Sequence, residues 1–112
     1  MERLTKPADF ALCYKKGRMV KGRYVVVYAR YNNLEITRVG FSVSKKLGNA
    51  VKRNKVKRRL REIVRREQGR LIIGIDLVIA TRIQAADAEF TQLNTGVHEA
   101  LDRLGVLCGM QE

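Results

Sequence analysis

Hydrophobic residues recur at helical spacing in three segments of the chain, and this pattern predicts three helices. The first segment runs from Thr5 to Lys16 and is followed by Gly17, a residue type that commonly ends helices. The second spans about 50–68, and the third begins near Asp87 and stops at Gly105. In the two longer segments the spacing gives an apolar stripe expected to lie on a core: Val56, Leu60, Ile63 and Val64, then Phe90, Leu93, Val97, Leu101 and Leu104.

The other apolar segments have the β-branched composition and the alternation of strands. Residues 23–31 and 34–44 are expected to be partner strands joined by a turn at Asn32–Asn33, because asparagine tolerates left-handed backbone angles. Residues 76–81 predict a buried strand, and a short additional strand is expected at 18–20. The order α-β-β-(β)-α-β-α predicts an α+β fold, a two-layer sandwich of about four strands and three helices.

Length and composition narrow the class of protein. The chain has 112 residues, of which 46% are hydrophobic, so it suits one domain, residues 1–112, with a buried core. No apolar run approaches the ~20 residues of a membrane-spanning helix, and the N-terminus lacks the apolar stretch of a secretory signal. Two cysteines, Cys13 and Cys108, are too few for a disulfide framework, so a cytoplasmic location is expected.

The formal net charge of +12 is concentrated in the second helical segment. From Lys45 to Arg70 there are twelve basic residues and two acids, and nine of the fifteen residues from Lys52 to Arg66 are basic. Like charges at this density repel one another, so they predict a bound polyanion. A solvated basic face and a membrane surface are the alternatives, but the apolar stripe lacks the bulky aromatic residues that insert into membranes.

The context of the basic helix favours RNA over DNA. A helix that reads the DNA major groove usually belongs to a compact helical module, whereas this one follows a strand through a loop containing glycine and asparagine. Folded RNA offers irregular phosphate surfaces and single strands that arginine, lysine and aromatic residues recognise. We therefore expect an RNA partner and neither DNA nor a membrane.

Residues suited to catalysis are sparse. The acids do not recur at metal-ligand spacing such as D-x-D, and no phosphate-binding glycine loop is present. The single histidine, His98, is expected at the surface or at the edge of the core, and Cys13 is expected to be a small buried hydrophobic residue. The sequence thus predicts a chain that binds and positions RNA, with no catalytic residue and no metal ligand of its own.

The segment from Arg38 to Arg61, RVGFSVSKKLGNAVKRNKVKRRLR, resembles the signature G-x-S-V-S-K-K-x-G-x-A-V-x-R-N-x-x-K-R-x-x-R of the bacterial ribonuclease P protein component family. Asp9-Phe10, residues 14–17 and the strand at 76–81 with its following helix also resemble that family. The resemblance implies a long helix that joins parallel strands by a left-handed crossover. It also implies that the protein is the partner of the ribonuclease P catalytic RNA and that the two together remove the 5′ leader of precursor tRNA. In that complex the RNA and its Mg²⁺ ions perform the hydrolysis, and the protein binds the leader and supports the RNA.

The same resemblance assigns residues to two surfaces. On the long helix, the positions implied to bind the catalytic RNA are Lys52, Arg53, Asn54, Lys55, Lys57, Arg58, Arg61 and Arg65. Arg53, Asn54 and Lys55 resemble the R-N-R element of the family, but its third position is Lys55 instead of arginine, so the bidentate guanidinium is lost there. The leader-binding cleft is implied between the first helix and the sheet, at Phe10, Tyr14, Val25, Val27, Ser42 and Lys45.

The aromatic pair Phe10 and Tyr14 separates two hypotheses. Side chains four positions apart on a helix, next to small sheet residues, would stack an extended single strand at about 1–3 kcal/mol per base. Alternatively, both rings belong to the core. The alternative function is a structural RNA-binding protein of ribosomal type, which needs no exposed aromatic cleft, so the exposure of this pair discriminates between the two functions.

Overall fold

A computed structural model describes residues 1–108, with three helices and five strands. The helices are α1 (Pro7–Lys16), α2 (Ala50–Glu67) and α3 (Phe90–Leu104). The strands are β1 (Glu2–Arg3), β2 (Arg18–Lys21), β3 (Val25–Tyr31), β4 (Arg38–Ser42) and β5 (Ile75–Thr81). Short 3₁₀ turns occupy Lys45–Leu47, Gln68–Arg70 and Ile83–Asp87. The predicted α+β class with three helices is confirmed.

The strands form one mixed sheet in the order β1-β4-β5-β3-β2. Strands β1, β4 and β5 are parallel neighbours, whereas β3 is antiparallel to both β5 and β2. Helix α2 connects β4 to β5, the parallel pair. Both ends of the long basic helix are thus connected to adjacent strands of the sheet.

The helices cover opposite faces of the sheet. Val27 and Leu77 belong to the main core, which includes the apolar stripes of α2 and α3. Tyr28 and Val78, the next residue on each strand, point the other way and pack with Cys13 of α1. Because α1 lies alone on its face, part of that face is left open.

The predicted pairing of residues 23–31 with 34–44 is wrong, because β5 lies between β3 and β4. The apolar run of β5 is buried on both faces, and such a strand takes a central position. The predicted turn is present, with Asn33 at φ 60°. Strand β4 is shorter than predicted, and β1, only two residues long, was not predicted.

Helix boundaries differ from the predictions by a few residues. Helix α1 begins at Pro7, two residues after the predicted start at Thr5, and no side chain caps it. Helix α3 begins at Phe90 behind a capping box of Glu89 and Gln92, because the residues up to Asp87 form a 3₁₀ turn. The left-handed conformation of Gly105, at φ 72°, ends α3 as predicted.

Candidate RNA-binding site

A shallow cleft runs along α1 on the open part of the sheet. Strand register places Ser42 beside Ala80 and Ala80 beside Val26, and all three side chains are partly exposed. The next row of the sheet, containing Gly40 and Val78, lies beneath α1. The cleft therefore has a floor of small and apolar side chains and one wall formed by α1.

Three aromatic rings meet where α1 borders the sheet: Phe10 and Tyr14 of α1 and Tyr28 of β3. The rings of Phe10 and Tyr14 are 6.4 Å apart, and Tyr14 meets Tyr28 edge to face at 4.9 Å. Phe10 is half-buried because it packs directly on Gly40, where a Cβ atom would lie 2.5 Å from the ring. Tyr14 is 43% exposed. The hypothesis that both aromatic residues belong to the core is therefore wrong for Tyr14, and Phe10 lies at the boundary.

The assignment of Val25 and Val27 to this cleft is wrong. They are only 1% and 0% exposed and pack in the core with α2 and α3. The residues of β3 that face α1 are Val26 and Tyr28, one position along from the predicted pair. A shift of one residue exchanges the two faces of a strand, and the alternation of β3 left its face undetermined.

A buried carboxylate anchors α1 to the sheet. Asp76 is fully buried and accepts hydrogen bonds of 2.8 Å from both Nε and Nη2 of Arg38, and one of 2.9 Å from Asn32. Arg30 adds an ion pair at 3.3 Å, and Arg38 reaches Asp9 of α1 at 3.5 Å. Burial alone would raise the pKa of Asp76, but the Arg38 and Asn32 hydrogen bonds and the arginine charges hold that pKa below its usual value.

Helix α2 presents its basic residues on an exposed face beside the cleft. Its N-terminus is capped by Asn49, whose side chain accepts a 3.0 Å hydrogen bond from the Lys52 backbone N–H. Its predicted apolar stripe is buried. The residues exposed on α2 among those predicted to bind the catalytic RNA are Lys52, Asn54, Lys55, Arg58, Arg61 and Arg65.

The cleft and the basic face meet at the flank of α2. Arg53 and Lys57 are half-buried, and Lys57 lines a pocket together with Phe10 and Gly40. Lys45 is exposed on the 3₁₀ turn that leads from β4 to α2, three residues after Ser42. A polyanion on α2 would thus adjoin a single strand in the cleft.

Three of the predicted α2 residues, Lys52, Lys55 and Arg65, stand apart from this junction. Lys55 lies on the opposite flank, in a groove with Arg59 and the loop before α3. Arg65 forms an ion pair with Glu62 at 2.7 Å, which partly neutralises its charge. Lys52 forms a longer pair of 3.4 Å with Asp87, and both side chains there are well exposed, so that contact is weak in water.

The structure places the remaining candidate residues in structural contacts. The Cys13 thiol is buried and donates to the Asp76 carbonyl at 3.9 Å, and burial raises the pKa of that thiol. His98 lies at the edge of the core, where its Nδ1 contacts Glu67 of α2, as predicted for this histidine.

Within residues 1–108, no three His, Cys, Asp or Glu side chains come together as metal ligands. None of the helices in the same range is long and apolar enough to cross a membrane.

Comparison with known proteins identifies the family of the chain. Residues 1–105 match the profile of the family described as Ribonuclease P. The chain belongs to the ribonuclease P protein family. The ribonuclease P protein component of Thermotoga maritima is 40% identical over 93 residues, covering 83% of this chain and 79% of that protein. That of Caldanaerobacter subterraneus is 37% identical over 103 residues, covering 92% and 89%.

Solved structures of family members share the whole fold. The Staphylococcus aureus RNase P protein superposes with a TM-score of 0.89 at 38% identity, covering 96% of this chain and 99% of that one. The RNase P protein from Thermotoga maritima gives a TM-score of 0.82 at 34% identity, covering 92% and 97%. The family assignment made from the motif between Arg38 and Arg61 is thus confirmed.

Proposed function

We propose that the chain is the protein subunit of a ribonuclease P ribonucleoprotein that assists removal of the 5′ leader from precursor tRNA. In this role α2 binds the catalytic RNA, and the cleft along α1 binds the leader as a single strand. The observation that carries the proposal is the junction of the two surfaces, where Lys57 of α2 lines the same pocket as Phe10 and Gly40. One RNA-bound helix would thereby position the cleft next to the catalytic RNA.

Electrostatics supports the role of α2. Its exposed basic residues outnumber the acids, and the single acid in the span 52–66, Glu62, already pairs with Arg65 and Arg66. Arg58 and Arg61 are exposed and form no ion pair within the described residues 1–108. Each such cation releases counterions when it meets a phosphate, so the affinity for the catalytic RNA should depend steeply on salt.

The shape of the cleft supports binding of an unpaired strand. Its floor of Ser42, Ala80 and Val26 lets a backbone approach closely, and Tyr14 offers an exposed ring on which a base can stack. Stacking on an aromatic ring requires no particular base, and different leaders must all be accepted. A structural RNA-binding protein is the second candidate, but it has no use for an exposed ring beside such a floor.

We assign the phosphodiester hydrolysis to the catalytic RNA and its Mg²⁺. Mg²⁺ in proteins is usually held by carboxylates and water, and residues 1–108 do not bring three potential ligands together. The buried Asp76 is committed to Arg38, Asn32 and Arg30. In this assignment the protein binds and orients RNA, and the catalytic RNA performs the chemistry.

Reconstitution tests the proposal. The protein is mixed with a bacterial ribonuclease P RNA at low Mg²⁺ and physiological salt, and cleavage of a precursor tRNA at its 5′ maturation site is followed. We expect efficient cleavage only when both components are present, with either component alone as control. Cleavage by the protein alone would reveal an active site in the chain, and tight RNA binding without stimulation would favour the structural RNA-binding protein.

A further inference from the structure

A second cationic surface lies at the far edge of the sheet from α2. Between Phe10 and Leu34 the chain has six lysines and arginines and no acid. Five of them are exposed and form no ion pair within residues 1–108: Lys15, Lys16, Arg18, Lys21 and Arg23. They occupy the last turn of α1, the edge strand β2 and the loop that follows β2. This surface is separate from the basic face of α2 and needs its own explanation.

Strand register continues the floor of the cleft onto β2. Lys21 is the partner of Val26, and Met19 is the partner of Tyr28, so both residues of β2 face α1. Val20, between them, packs towards the core on the other face. Met19 is 52% exposed although it is apolar. An apolar side chain and an unpaired ammonium therefore extend the same surface that Ser42 begins on β4.

We propose that Met19 and Lys21 form a distal subsite for single-stranded RNA, occupied by the part of the leader farthest from the cleavage site. The proposal rests on the function proposed above. With strands about 4.8 Å apart, the floor from Ser42 to Lys21 spans three strand intervals, roughly 14 Å. A strand that crosses this floor meets cations at both ends and apolar side chains between them, which is the arrangement of sites that track single strands.

The chemistry of the two residues defines what they recognise. Lysine contacts a phosphate as a point charge, so Lys21 would hold the RNA backbone without reading a base. The flexible thioether of Met19 can pack on the face of any base. The direction in which the leader crosses this floor follows from α2. The catalytic RNA, bound beside β4, places the cleavage site at the Ser42 end, so the distal part of the leader lies at the Lys21 end. Only leaders long enough to cross the sheet would reach β2.

The test uses the reconstituted holoenzyme and precursor tRNAs whose leaders lengthen one nucleotide at a time. For the wild-type protein we expect affinity to rise with leader length until the track is filled. For Lys21→Glu we expect the last increments to disappear, a loss of about fivefold for long leaders, with a salt slope smaller by about one. Met19→Ala should lose part of the same increments without changing the salt slope.

Arg18→Glu is the matched control, because Arg18 is an exposed cation on the same strand whose partner, Ala29, faces the opposite side of the sheet. It should lower affinity equally at all leader lengths or not at all. If Lys21→Glu lowers the affinity for precursor tRNAs with short and with long leaders equally, or lowers neither, the distal subsite does not exist. If the wild-type holoenzyme itself shows no dependence on leader length, the proposed leader binding fails and the subsite fails with it.

Discussion

At the scale of single residues, Gly40 determines how closely α1 approaches the sheet. A Cβ atom there would lie 2.5 Å from the Phe10 ring and 3.0 Å from the Leu4 carbonyl oxygen. We expect Gly40→Ala to push the ring away and to lower the free energy of unfolding by about 1–3 kcal/mol. Chemical denaturation measures this, with Gly69→Ala as control because nothing lies within 4 Å of a Cβ at Gly69.

A second variant checks whether contact with the Phe10 ring causes the loss of stability. In the double variant Gly40→Ala, Phe10→Ala the ring is gone, so adding the methyl group should cost less than it does in the wild-type background. A double-mutant cycle gives that difference directly. Equal costs in both backgrounds would show that the strain falls on the Leu4 backbone instead.

Asp76 makes stability depend on acidic pH. Its pKa is lowered in the folded protein, so its stabilising contribution is complete above the ordinary carboxyl pKa near 4 and is lost as the pH falls through the lower folded value. Asp76→Asn should remove this dependence and should cost roughly 2–4 kcal/mol at pH 7, less than a fully buried pair, because the arginine side chains are about one-fifth exposed.

The measurement for Asp76 is the free energy of unfolding at pH 7 and at a series of pH values below 5. Asp9→Asn is a suitable comparison, since Asp9 meets Arg38 only at 3.5 Å and is itself partly exposed. An Asp76→Asn protein that still loses stability as steeply as the wild type below pH 4 would contradict the assignment.

At the scale of elements, α2 separates folding from RNA binding on its two faces. Arg58→Ala and Arg61→Ala should leave the fold intact, weaken binding to the catalytic RNA and lower the salt slope by about one each. Leu60→Ala, in the buried stripe of the same helix, should cost about 2–5 kcal/mol of stability and leave the salt slope of the folded fraction unchanged. Filter binding at several salt concentrations, together with unfolding curves, distinguishes them.

The same helix shows why some elements are predictable from sequence. The stripe of α2 and its neighbouring charges are set by residues three and four apart, so local spacing identified both faces. Strand order depends on contacts between residues that are distant in sequence. The position of β5 between β3 and β4 could therefore not be predicted from the local pattern of either strand. Tyr28 was missed for a related reason: the alternation of β3 defines two faces, but only the position of α1 shows which of them is open.

At the scale of the whole molecule, the proposed function assigns two surfaces to two RNAs, with α2 for the catalytic RNA and the cleft for the leader of the substrate. The family motif in the sequence identified Phe10, Tyr14 and Ser42, and the structure brings them to one surface with Val26 and Ala80. This surface is assembled from α1 and three strands. Because this surface is distinct from the exposed face of α2, a substitution in the cleft should lower the affinity only for a substrate that enters the cleft.

Tyr14→Ala tests this separation in the reconstituted holoenzyme. Tyr14 is exposed, so its loss should leave the fold and the affinity for mature tRNA nearly unchanged. Affinity for precursor tRNA should fall by about 1–3 kcal/mol, the value of one stacked base. Phe10→Ala should have the same selectivity with some loss of stability, because that ring also packs on Gly40. If both tRNAs lose affinity equally, the aromatic wall supports the fold or the catalytic RNA and does not bind the leader.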